Sequence, residues 1–305
     1  MEQTFMKEKK ILPLVLSMSL PMVISMAVNS LYNIVDSYFV AKLSEDAMTA
    51  LALVFPIQNM INAIAIGFAI GINASVAYFL GAGDQTYADK SASQGWFLNL
   101  LHGLVLAALC IAVMPPFLQM FSSDEAVIKM ALTYSNRAFV FSPVIALTLV
   151  YEKLFQAVGK MKVSMFCMMC GFIANIILDP LMIFGLGFFP PLGIAGAAYA
   201  TGIGQVLTLA AYLIFCKTNP IPVKIKRQHL KPEKNVAMKL YSVGLSATLS
   251  LALPSLLISV LNGILAAFSG TYVLVLGVYY KLQTFIYLTA NGIIQGIRPL
   301  MGYNY

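Results

Sequence analysis

Charge is scarce in this chain: Asp, Glu, Lys and Arg together supply 10% of its 305 residues. Soluble domains carry about a quarter, so an ordinary water-facing surface is excluded. Histidine occurs twice, at His102 and His229, too far apart to pair locally as metal ligands. Cysteine occurs four times, and only Cys167 and Cys170 stand close. Their C-x-x-C spacing falls inside an apolar stretch with no second pair and no histidine, so it reads as packing rather than a redox or zinc motif. No G-x-x-x-x-G-K-[ST] phosphate loop is present, and no polar segment is long enough to house a nucleotide-binding domain. ATP is thereby excluded as the direct energy source, no nucleotide partner or organic cofactor is expected, and an ion gradient remains. The first apolar run is too long for a cleavable leader, and no small-residue cleavage site follows it.

What is present is apolar. Hydrophobic residues make up 60% of the chain and the mean hydropathy is +0.83. They form eight runs: Ile11–Val40, Ala50–Leu80, Gln94–Met120, Ala131–Ala157, Val163–Phe188, Gly193–Cys216, Leu240–Phe268 and Tyr272–Met301. Each is long enough to cross about 30 Å of hydrocarbon as a helix. A membrane β-barrel would alternate apolar and polar residues, whereas Leu104-Val105-Leu106-Ala107-Ala108-Leu109 is continuously apolar. The expected fold is an all-α, multi-pass membrane protein. With a cytoplasmic N-terminus, the inner segments hold fourteen Lys and Arg, among them Lys7, Lys10, Lys153, Lys160 and Lys226, and the outer segments hold three, Lys42, Lys129 and Arg137. That bias fixes the expected orientation in a bacterial or archaeal cell membrane. It also accounts for the net charge of +7 through anionic lipid, with no nucleic acid needed.

The chain repeats itself. Shifting residues 17–80 by 225 positions onto 242–305 pairs 17 identical residues without a gap, including Gln58 with Gln283, Gly67 with Gly292 and Gly71 with Gly296. The shift steps over six runs, an even number, so both copies cross in the same direction, the parallel repeat of transporters with a substrate site between two halves. The expected organisation is a six-helix N-terminal lobe over 1–216, a solvated basic linker over 217–239, and the first two helices of a second lobe over 240–305. A period of 225 also predicts about 450 residues and twelve helices for two complete copies, and hence a truncated chain.

Two carboxylates stand out because each costs about 2.5–3.5 kcal/mol at bilayer depth: Asp36 in the first run and Asp179 in the fifth. Around them the sequence resembles the multidrug and toxic compound extrusion (MATE) family. The resemblance rests on Asn33-x-x-Asp36, Pro56-Ile57-Gln58, Asn175-x-x-x-Asp179-Pro180, the Gly193–Thr201 segment that opens the sixth run, and Gly296–Asn304. It covers essentially the whole chain. Asn175 and Asp179 share a helix face, as do Ala197 and Thr201. If these faces and that of Asp36 converge, they offer carboxylates, an amide oxygen, a hydroxyl and a main-chain carbonyl. Such hard oxygens suit Na⁺, and desolvated, neighbouring carboxylates suit a proton.

The resemblance implies that Asp36, Asn175, Asp179 and Thr201, with Ala197 beside them, form the Na⁺ or H⁺ site of an antiporter. It implies export of organic cations or amphipathic drugs by alternating access. Asn33, Gln58, Gln283 and Tyr280 are candidates for the substrate cavity, although both glutamines suit helix packing equally. Two other readings remain open from the residues. One is a flippase of lipid-linked oligosaccharides, which would want more cationic side chains in its cavity. The other is an intramembrane enzyme with Asp36 and Asp179 as an aspartyl dyad. In the gapless repeat Asp36 falls opposite Leu261, beside Asn262, so the carboxylate chemistry belongs to one lobe.

Overall fold

The computed structural model describes residues 5–187, 189–266, 268 and 270–305; between 255 and 285 the described side chains are those at 257, 260, 261, 264, 265, 268, 275, 276, 279 and 283. Short polar signals cut the apolar sequence into helices. A short α1 (Phe5–Glu8) precedes α2 (Ile11–Leu43) and α3 (Glu45–Gly81). They are separated only by Ser44, whose hydroxyl accepts from the Ala47 N–H at 3.0 Å and so caps α3. Asp84 caps α4 (Gln85–Phe121) through the Tyr87 N–H at 3.0 Å, and Asp124 caps α5 (Glu125–Val140) through the Ala126 N–H at 2.8 Å. Then follow α6 (Ser142–Ala157), α7 (Met161–Phe184), α8 (Ile194–Thr218), a 3₁₀ turn at Arg227–His229, α9 (Lys234–Ala266) and α10 (Gly270–Asn304). α7 stops at Gly185, whose φ of 72° favours glycine.

Among the described residues six helices are long and apolar enough to cross a membrane, or seven if the α5–α6 pair is one span. That pair is the expected fourth run, and it is bent by 44° where Ser142-Pro143 starts α6. Proline's missing N–H and its clash with the preceding turn explain the break. The end of the expected fifth run, Phe188, lies outside the described residues. Large apolar side chains face outward along the helices, such as Leu12 at 70% and Phe166 at 58% exposure. That surface suits lipid, not water.

The basic residues gather at one end. There Met6 O accepts from Asn304 Nδ2 at 3.2 Å, and Lys160 Nζ donates to Asn219 O at 3.2 Å. The 219–233 connection was expected to be solvated; instead it is strapped to α4. Asp89 accepts the Lys224 N–H at 2.9 Å and pairs with Lys226 Nζ at 2.7 Å. Ser93 takes the Lys226 N–H and Gln94 the Glu233 N–H, while Ile221 and Val223 are buried in the core beneath. Lys153 also departs from expectation. Counted by sequence among the basic residues beside helix ends, it is buried at 3% exposure and paired with Glu152.

The internal repeat has a physical cause. α10 begins at Gly270 and α3 at Glu45, which keeps the offset of 225. Gly67 of α3 lies against Thr248 of α9, and Gly292 of α10 against Val23 of α2; a methyl on either would sit 2.6 Å from the facing Cα. Val23 and Thr248 are themselves 225 apart. Gly71 meets Gly244, and Gly296 meets Ser19, its counterpart under the same shift. The interface between the α2–α8 bundle and the α9–α10 pair is therefore reciprocal, as in a two-fold dimer. Small residues on both sides let the backbones approach where no hydrophobic effect drives them together.

Candidate functional site

Away from the basic end, α2, α3, α5 and α8 surround a cavity of about 120 Å³, lined by Tyr32, Asn33, Asp36 and Ser37 of α2, Phe55, Gln58 and Asn62 of α3, Tyr134 of α5 and Thr201 of α8 among others. At ~30 Å³ per molecule it has room for about four waters or a hydrated ion. Beside it, glycines bring α7 and α8 close together: a Cβ on Gly171 would fall 2.6 Å from Gly204 O, and one on Gly196 2.5 Å from Met182 O.

Across this tight seam Asn175 bridges its neighbours. With the amide oriented to satisfy both ends, Nδ2 donates to Asp179 Oδ2 at 3.0 Å and Oδ1 accepts from the Thr201 hydroxyl at 3.2 Å and its N–H at 3.1 Å. The opposite orientation would aim Nδ2 at the Thr201 hydroxyl. Asp179 is wholly buried and Asn175 is 2% exposed. The helix continues through Pro180 to Phe184, so Asp179 does not mark a helix end. The carboxyls of Asp36 and Asp179 lie within hydrogen-bonding reach of each other. Asp36 Oδ1 is buried without a hydrogen-bond partner among the described residues. A buried carboxylate oxygen left unmet is costly, and here it faces an oxygen-rich cluster.

Asp36, Asn175, Asp179 and Thr201 thus come together from three helices. The Ala197 side chain is fully buried in the apolar cluster with Val40, Ala47 and Ile194, so its methyl supplies no ligand and any contribution from Ala197 falls to its main-chain carbonyl. Asn33 reaches the cavity wall, but its Nδ2 donates to Asn29 O at 2.8 Å and Asn29 Oδ1 at 2.9 Å. Gln58 lines the cavity beside Tyr134. Gln283 sits elsewhere, in a second cleft beside Leu253, Pro254, Leu257, Val260 and Tyr287. The side chains of Tyr280, Lys281 and Asn262 lie outside the described residues.

Sequence reasoning missed Tyr32, Asn62 and Tyr134. Tyr32 stacks on Phe172 of α7, ring centroids 5.1 Å apart and planes 6° apart, which holds α2 against α7 beside the carboxyls. A signal was available for two of them. Asn29, Tyr32, Asn33, Asp36 and Ser37 recur at helical spacing, as do Gln58, Asn59 and Asn62, and a polar stripe along an apolar helix marks a cavity face. Tyr134 carries no charge and stands alone on α5.

Long apolar helices around a buried carboxyl pair define a multi-pass membrane protein. The chain belongs to the MatE family, whose description residues 21–181 match. It is similar over its whole length to the multidrug export protein MepA of Staphylococcus haemolyticus, 27% identical over 306 residues, and to MepA of Staphylococcus aureus, 26% identical. It spans 67% of the length of each. Among solved structures it resembles an outward-facing multidrug resistance MATE transporter of the MOP superfamily, at a TM-score of 0.91 and 25% identity, covering 100% of this chain and 67% of that one. A Pyrococcus furiosus MOP superfamily transporter, described as having a binding pocket of reverse polarity, matches equally well at 0.91 and 25%. This is a family of multidrug efflux transporters and not of enzymes, which leaves the aspartyl dyad without support.

Proposed function

We propose that the chain works as the ion-coupled part of an antiporter that exports organic cations or amphipathic drugs in exchange for H⁺ or Na⁺. The observation that carries this reading is the buried, unpartnered Asp36 Oδ1 beside Asp179. Two carboxyls within hydrogen-bonding reach hold a proton between them, and losing it leaves a charge that only a cation or rearrangement relieves. A proton fits the arrangement as it stands. Na⁺ would take oxygens from Asp36 and Asp179 and would need the Asn175 amide turned, because its Oδ1 is occupied by Thr201.

Transport follows by alternating access. The joined lobes close the basic end, which we assign to the cytoplasm together with the N-terminus, and the carboxyl site lies toward the cell exterior. Residues 1–216 would be one lobe and 240–305 the start of the other, set in the lipid of a cell membrane. An oligosaccharide flippase would want cationic groups in the cavity, and among the described residues its lining side chains include no Lys or Arg.

The test is reconstitution of the complete gene product in proteoliposomes. A cationic dye added to one side is expected to drive counterflow of H⁺ or Na⁺, and Asp36→Asn is expected to abolish it. Dye transport by Asp36→Asn at the native rate with native coupling would refute the assignment.

A further inference from the structure

A second polar cluster lies far from the carboxyl pair, buried near the basic end. On the last turns of α6, Glu152, Lys153 and Gln156 are 5%, 3% and 1% exposed. Lys153 Nζ donates to Glu152 Oε1 at 2.6 Å, to Gln156 Oε1 at 3.0 Å, and across to Gln295 Oε1 of α10 at 3.3 Å. Gln156 Nε2 in turn donates to Glu152 Oε1 at 2.8 Å. Gln295 Nε2 lies 3.3 Å from Met26 Sδ of α2. Arg298, one turn further along α10, is close enough to act electrostatically on both Glu152 and Lys153. Asn73, which the 225-residue shift pairs with Arg298, anchors the group from α3 by donating to Lys153 O at 2.9 Å.

The arithmetic of this site is complete only when the lobes are closed. An ammonium carries three protons, and Lys153 has three acceptors, two from its own helix and the third from α10. A buried ion pair persists where its remaining hydrogen bonds are met. Elsewhere the interface is built from close-packed small residues, such as Gly67 against Thr248 and Gly296 against Ser19. Such packing holds backbones together without placing a charge between them. Lifting α10 away removes the third acceptor from Lys153 and takes Arg298 from Glu152.

We propose that Lys153, backed by Glu152 and met by Gln295 and Arg298, is an interlobe latch whose closure sets how often the basic end opens. Lys153 is in this sense a positioning residue for transport. It touches neither the carboxyl site nor its cavity. The inference rests on the alternating-access reading, and its test does not require flux.

The experiment uses the complete gene product in lipid nanodiscs, with the four native cysteines replaced by alanine and spin labels at Lys162→Cys and Met301→Cys. Both are exposed positions near the basic end. Pulsed electron resonance then reads the populations of short and long distances. Gln295→Leu leaves every hydrogen bond within α6 intact and is expected to raise the long-distance population on the order of tenfold, the effect of one lost hydrogen bond to a charged group. Gln295→Glu, which sets a carboxylate against Lys153, is expected to lower it. A merely structural ion pair would not give opposite signs for these two changes. Unchanged distributions in both variants, or shifts of the same sign, would overturn the latch whatever the flux assay reports. Opposite shifts in a protein that fails to couple dye to ion flux would sustain the latch and sink the antiporter reading.

Discussion

Two clefts related by the 225-residue repeat have the same frame and opposite chemistry. The cleft between α2 and α3 presents Tyr32, Asp36, Gln58 and Asn62. The shift turns these into Leu257, Leu261, Gln283 and Tyr287, and three of the four line the cleft between α9 and α10. The glycines that face the other repeat are shared, because the interface is reciprocal: what Gly67 requires of Thr248, Gly292 requires of Val23. Packing is thus duplicated, while nothing obliges the cavity faces to match. One lobe is free to carry carboxyls and the other to stay apolar. The same division recurs near the basic end, where Asn73 has Arg298 as its counterpart.

If that division is real, matched substitutions in the two copies should differ widely at the clefts and agree at the seam. The largest effect belongs to the carboxyls. Asp36→Asn and Asp179→Asn should each lower ion-coupled dye efflux by at least about a hundredfold, the scale of losing an essential proton carrier. Leu261→Asn, at the position opposite Asp36, should leave coupling within a few-fold of native. Proteoliposome flux measured side by side decides this, and equal losses would end the one-lobe account. The seam comes next. Gly67→Val and Gly292→Val drive a side chain into backbone placed 2.6 Å from the first added carbon. Each should cost about 1–3 kcal/mol, read as similar drops in melting temperature in detergent. A large drop in one and none in the other would show that the seam is not reciprocal.

How much of this could be read from the chain depended on what the bilayer penalises. Continuous apolar runs are imposed by lipid, so a multi-pass helical fold was legible, although among the described residues six helices, or seven with the bent pair, are long and apolar enough to span where eight runs were expected. Asp36 and Asp179 were legible because a carboxylate at that depth needs a reason. The aligned glycines were legible because the seam demands the same residues twice. Radial position was not. Lys153 stands near a helix end, where a lysine ordinarily snorkels to the interface, and only the fold turns it inward onto Glu152. The linker over 217–239 read as solvated, whereas the 224–233 backbone is hydrogen-bonded to Asp89, Ser93 and Gln94. Ala197 shares a face with Thr201, but a helix face is broad, and its methyl packs into the apolar cluster instead.

Smaller changes sharpen the comparison within the polar cleft. Thr201→Val removes the hydroxyl that occupies Asn175 Oδ1 and leaves the backbone N–H at 3.1 Å. The loss should be about 1 kcal/mol, a several-fold shift in the ion concentration for half-maximal exchange with little change in maximal rate. If Na⁺ were the better ligand, freeing Asn175 would strengthen its binding while H⁺ coupling weakened, so titrating both ions against the variant separates them.

The smallest and most discriminating pair is the glutamines. Gln58 lines the polar cavity beside Tyr134, which is 2% exposed, so Gln58→Leu sets an apolar side chain against polar walls and should destabilise by about 1 kcal/mol. Gln283 Oε1 is buried with no partner among the described residues, in a cleft lined mostly by Leu253, Pro254, Leu257 and Val260, with Ser250 and Tyr287. Replacing a buried, unmet polar group by an apolar one of similar size removes a penalty, so Gln283→Leu should leave the melting temperature unchanged or raised. The two residues are identical, occupy equivalent positions and differ only in their surroundings. Opposite signs would locate the asymmetry in the cleft rather than in the helix, and equal signs would mean that both serve the packing of the repeat.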